Sequence, residues 1–106
     1  MIIRIVKMEF RPESVLEFRA VFNRIKDKVA GFEGCMHLEL LNESGTSEVL
    51  FTYSVWRDEA SLNKYRFSEL FRTTWSEIKP LFLLPAEAWS LESIERVKTY
   101  EQVRNY

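Results

Sequence analysis

The chain has one cysteine, one histidine, three glycines and three prolines among its 106 residues. With Cys35 alone, neither an intrachain disulfide nor a site built from several thiolates is available, and a buried structural thiol in a reducing, cytoplasmic setting is expected. Three glycines are too few for a glycine-rich phosphate or dinucleotide loop, and no His, Cys or carboxylate cluster stands at ligand spacing, so neither a metal nor a nucleotide cofactor is called for. Charge of one sign is also missing. Fifteen basic and 16 acidic residues give a net charge of −1 without blocks, which leaves no electrostatic footprint for nucleic acid or an anionic membrane. No apolar run approaches the roughly 18 residues of a membrane span, and Met1-Ile2-Ile3-Arg4 leads into patterned sequence with no signal-peptide core.

What the chain does have is rings. Eight Phe, four Tyr and three Trp make 14% of the residues aromatic, within 46% hydrophobic and 29% charged. At 12.7 kDa the size suits one domain, since two cores would each bury too little surface. So many rings in so small a body imply surface buried beyond its own core, in a dimer interface, a ligand cavity, or both.

Residues 1–10 carry apolar side chains on both alternating sets, Ile3 and Ile5 against Ile2, Val6, Met8 and Phe10, as in a strand covered on both faces. Pro12 and Glu13 suit a first helical turn. Val15, Phe18, Val21, Phe22, Ile25 and Val29 then follow at three- and four-residue steps, so a helix lays one stripe on a sheet. Gly31 supplies a C-cap able to adopt positive φ, and Gly34 follows as the chain turns into the next strand. Residues 35–42 and 48–57 read as two antiparallel strands joined by the hairpin loop 43–47. Asp58 caps a short helix through Tyr65, a second segment spans 67–79, and Pro80 ends it. A last strand is expected over 86–91, and 93–106 forms a helical tail or an arm beyond a domain of residues 1–92.

The order is that of an α+β, ferredoxin-like β-α-β-β-α-β fold, with a four-stranded antiparallel sheet and both helices on one face. Along the third strand Val49, Phe51, Tyr53 and Val55 form an oily set, and Leu50, Thr52, Ser54 and Trp56 a mixed one. On the second, Met36, Leu38 and Leu40 alternate with Cys35, His37, Glu39 and Leu41. The oily sets suit the helices. The mixed face, bearing His37, Glu39, Thr52, Ser54 and Trp56, is then expected to close on a second copy, giving a homodimeric α+β barrel with a cavity in each protomer.

Three stretches resemble the antibiotic biosynthesis monooxygenase family. They are Val55-Trp56-Arg57-Asp58-Glu59-Ala60 at the end of the third strand, Gly31-Phe32-Glu33-Gly34-Cys35 ahead of the second, and Ser68 with Phe71 in the second helical segment. The likeness runs in order over residues 1–92. It implies a dimeric α+β barrel and, among the family's chemistries, a cofactor-independent monooxygenase. In such enzymes an electron-rich substrate anion, from a small aromatic or quinol-like molecule, reacts with O2 in a cavity between sheet and helices. Trp56 matches the family's cavity tryptophan. Where many members carry a helical histidine this chain has Tyr65, and at or near the haem-ligand position of haem-degrading relatives it has Trp75. Lys7 stands near a position where those relatives carry asparagine, so haem degradation is set aside.

His37, two residues from a carboxylate that can raise its basicity, and Tyr65 are the expected catalytic groups. Trp56, Thr52, Ser54, Glu39, Arg66 and Trp75 are expected to bind the substrate, with Arg66 or Arg4 stabilising an oxyanion. Phe67, Leu70, Phe71 and Leu81 to Leu84 are assigned to helix packing and dimer contact. Each expected site residue also has a packing or surface reading. A dimer that only binds a small hydrophobic metabolite remains open, as does a purely structural dimer, which requires the cavity to be filled.

Overall fold

The computed structural model describes residues 1–104. Strand β1 (Ile2–Glu9) leads through a single 3-10 turn (Pro12–Ser14) into α1 (Val15–Ala30). Hairpin strands β2 (Cys35–Asn42) and β3 (Val49–Trp56) follow, then α2 (Glu59–Arg66), α3 (Glu69–Ile78), a second 3-10 turn (Lys79–Leu81) and β4 (Glu87–Leu91). The four strands form one antiparallel sheet in the order β2-β3-β1-β4. β1 and β3 are its central strands, which fits the apolar residues on both faces of β1.

α1 lies across one face of the sheet. Its stripe seals a core of Met8, Phe10, Phe18, Val21, Leu50, Ile78 and Leu81, with Phe22 and Val15 packed at its edge. Phe10 and Trp56 have no exposed surface, and truncating a buried aromatic of this kind costs about 3–5 kcal/mol. Arg24 on α1 pairs with Glu77 on α3, tying the two helices together at the surface.

Two caps divide the second helical region. The Asp58 carboxylate accepts the Ser61 amide at 2.8 Å and starts α2. Ser68 accepts the Phe71 amide at 3.1 Å and donates its hydroxyl to the Tyr65 carbonyl at 2.6 Å, so one side chain closes α2 and opens α3. The chain therefore bends at Phe67-Ser68, and both segments can point rings at the sheet.

Positive φ falls at Gly34 and not at Gly31. Gly31 has φ −84° and ends α1 in helical geometry, its amide bonding the Asp27 carbonyl at 2.9 Å. The reversal into β2 comes at Gly34, with φ +88°, where a Cβ would sit 2.4 Å from the Cβ and Oγ of Ser61. Close passage of α2 over this turn thus requires glycine for two reasons at once.

Beyond β4 the tail has no regular structure until α4 (Tyr100–Arg104). Ile94 and Val97 on it are exposed; positions 105 and 106 of the expected tail lie outside the described residues. Among the described residues no helix is long and apolar enough to cross a membrane.

Candidate functional site

Strand register decides which side chains meet. Arg4 pairs with Ser54 and Ser90, and Val6 with Thr52 and Ala88, and this set faces the helices. The mixed set of β3 is thus the inner one, and the oily set Phe51, Tyr53 and Val55 faces outward with Ile3, Ile5, Trp89 and Leu91. The assignment of the two β3 faces expected from hydrophobicity is therefore reversed. Small hydroxyl residues leave room beneath rings that the helices supply, which is why the less oily set can be the inner one.

A β-bulge separates His37 from Trp56. Cys35 pairs with Trp56, but His37 then pairs with Val55 and Glu39 with Tyr53. Unbroken alternation from Cys35 would set His37 opposite Ser54, on the helix side. The extra residue, Met36, flips the strand, as a bulge does. His37 and Glu39 therefore stand on the outer face, their side chains 2.8 Å apart, with the His37 ring edge-on to Tyr53 at 5.6 Å.

Between the inner face and the helices lies a cavity of about 350 Å³, within the size range of small-molecule sites. Of the expected site residues, Thr52, Ser54, Trp56, Tyr65, Arg66 and Trp75 line it; His37 and Glu39 do not. Arg4, Phe71, Phe18 and Phe22 also contribute. Phe71 was assigned to packing, although its i, i+4 spacing to Trp75 puts both rings on one helix face.

The wall is a continuous series of rings. Trp56 stacks on Tyr65 at 4.9 Å and 18°, Tyr65 meets Phe71 edge-on at 5.3 Å, and Phe71 stacks on Trp75 at 5.7 Å and 8°. Trp56 is fixed by its indole N–H, which donates to Ser54 Oγ at 3.0 Å; the Ser54 hydroxyl donates to the Arg4 carbonyl at 3.4 Å. Burial pushes the Tyr65 phenol up to about 12, with the nearby Cys35 thiol adding to the shift. Tyr65 is therefore a proton-bearing donor at neutral pH and not a base. Burial also raises the Cys35 thiol, against a bond from its sulfur to the His37 carbonyl.

Arg4 donates to Ser90 Oγ at 3.0 Å. Desolvation, and then the neighbouring Arg66 charge, hold its guanidinium below the usual arginine range. No aspartate, glutamate or histidine among the described residues lines the cavity. Among the described residues no three His, Cys, Asp or Glu side chains are grouped as metal ligands would be.

The model of the family described as antibiotic biosynthesis monooxygenase matches residues 1–75. The chain belongs to that family. No curated protein matches the sequence. Among solved structures, an antibiotic biosynthesis monooxygenase is 15% identical and superposes with a TM-score of 0.84, covering 90% of this chain and all of that one. A conserved protein from Methanosarcina mazei is 25% identical with a TM-score of 0.81, covering 86% of this chain and 91% of that one. A variant of SnoaB, a cofactor-independent oxygenase from Streptomyces nogalater, is 16% identical with a TM-score of 0.80, covering 92% and 97%. The first and third likenesses establish the fold alone. In this antibiotic biosynthesis monooxygenase family member the cavity is walled by rings, Trp56 among them.

Proposed function

We propose that the cavity is the substrate site of a cofactor-independent monooxygenase acting on a small aromatic or quinol-like molecule. The observation that carries this reading is the open space beneath the Trp56–Tyr65 stack, with a protonated Tyr65 on its wall and two arginines in its lining. Aromatic walls suit a flat ring system. The arginines favour its anion, and the proton leaves to water at the end of the cavity where Arg66 is exposed. The anion gives electrons to O2, a C–O bond forms, and the resulting peroxide takes up a proton. Cleavage of the O–O bond with loss of the second C–H proton leaves a carbonyl and releases water. For an anthrone-type CH2, one O2 thus yields one C=O and one H2O, with the substrate supplying all four electrons. Tyr65 donates to the substrate oxygen; the residues around it exclude bulk water.

Among the described residues the lining holds no carboxylate or imidazole, and this favours a second reading, a protein that binds a small hydrophobic metabolite without transforming it. A purely structural module loses support from a cavity that side chains leave open. Oxygen uptake by metal-free protein with dithranol and with reduced menadione separates the two remaining readings. A rate above the buffer blank that falls at least about tenfold in Tyr65→Phe supports catalysis. Binding without uptake leaves the carrier.

We also propose that the outer face closes on a second copy of the chain. Ile3, Ile5, Phe51, Tyr53, Val55, Trp89 and Leu91 share that face, with Trp89 43% and Leu91 46% exposed, and such a face is unfavourable in water. His37 and Glu39 then belong to an interface. Sedimentation at micromolar concentration is expected to give a dimer; a monomer would exclude this arrangement.

A further inference from the structure

Among the described residues only two charged ones line the cavity, and both are arginines: Arg4 from the centre of the sheet and Arg66 from the last position of α2. Three other arginines are ion-paired, and Arg19, Arg72 and Arg96, which have no carboxylate within 4.0 Å among the described residues, are exposed on the surface. Arg11 meets Glu13, Arg24 meets Glu77, and Arg57 meets Glu33 and Asp58. Neither Arg4 nor Arg66 has a carboxylate within 4.0 Å among the described residues, although 16 acidic residues are in the chain. Among the described residues, the side chain bonded to the Arg4 guanidinium is the neutral Ser90 hydroxyl. Both guanidinium groups line one apolar space, and the Arg66 charge bears on an Arg4 that is also desolvated, so an arriving anion would relieve the repulsion and offset the hydration Arg4 has lost.

We propose that Arg4 and Arg66 form an anion site, and that the molecule accepted by this cavity is an aromatic carboxylic acid. Its rings would lie against Trp56, Tyr65, Phe71 and Trp75 and its carboxylate against the arginine pair. The inference rests on the reading of the cavity as the substrate site and adds the substrate's acidic group. The planar guanidinium fork can take either a carboxylate or a phosphate, but Arg66 stands at the C-terminal, electronegative end of α2, which opposes a dianion more than a monoanion and so favours the carboxylate.

Calorimetric titration with 1-hydroxy-2-naphthoate and with 1-naphthol, without oxygen and near neutral pH, tests this independently of turnover. The naphthoate is expected to bind at least about tenfold more tightly than the naphthol. Arg66→Gln, an exposed change that leaves the core intact, is expected to remove most of that preference without altering naphthol affinity, and Arg4→Gln to do the same. Equal affinities for the two probes, or a preference unmoved in both variants, would overturn the anion site and leave the cavity reading standing. If neither probe binds, the cavity reading fails and the anion site fails with it.

Discussion

Tyr65 lies stacked on Trp56, with ring centroids 4.9 Å apart and planes 18° from parallel. One ring comes from the end of β3 and the other from α2, so the pair joins sheet to helix at one end of the cavity. The stack also removes the phenol from water, and a neutral phenol is the form that such burial favours.

Stability at high pH should register that burial. In the unfolded chain the Tyr65 phenol titrates near 10, and in the folded chain at about 12. Below the first value both states keep the proton and no penalty exists. Between the two, the unfolded chain releases a proton that the folded chain retains, so stability falls as pH rises through the window. Urea midpoints measured from about pH 8 to about pH 11 should drop for the wild type and drop less for Tyr65→Phe. Parallel curves would mean that the phenol is not buried.

Ser54 holds Trp56 in place. Ser54→Ala removes the acceptor of a fully buried indole N–H, which should cost about 1–3 kcal/mol in denaturant unfolding. A neutral result would show that the indole has found another acceptor.

Gly34 and Gly45 make a controlled pair, since both have positive φ, +88° and +90°. A Cβ at Gly34 meets Ser61, whereas at Gly45 nothing lies within 4 Å. Gly45→Ala should therefore cost only the backbone term, about 1 kcal/mol, and Gly34→Ala at least about 2 kcal/mol more. Equal midpoints would contradict the close passage of α2 over the turn.

Cys35 should be a slow nucleophile. Burial raises its thiol, which lowers the reactive thiolate fraction near neutral pH. Alkylation by iodoacetamide should run slower than that of free glutathione in native protein and match it after unfolding.

Much of the architecture was legible because local signals agreed with one another. The stripe from Val15 to Val29, the Asp58 cap and the loop between β2 and β3 each point to one element, and the element order follows. Family membership was legible from the Trp56 and Gly34 stretches. Face assignment was not. Alternation carries no mark of the bulge at Met36, so His37 and Glu39 were grouped with Trp56 when register sets them on the opposite side. Hydrophobicity also misled on β3, because the inner face of a sheet that bounds a cavity need not be its oilier one. Phe71 was overlooked in a run of apolar residues where packing and lining rings look alike.

A crystal structure with bound 1-hydroxy-2-naphthoate bears most directly on whether chemistry belongs to the inner face. The ligand should lie between the sheet and α3, its rings against Trp56, Tyr65 and Trp75 and its carboxylate toward Arg4 and Arg66. Ligand on the outer face beside His37 and Glu39, with the inner cavity empty, would contradict this account.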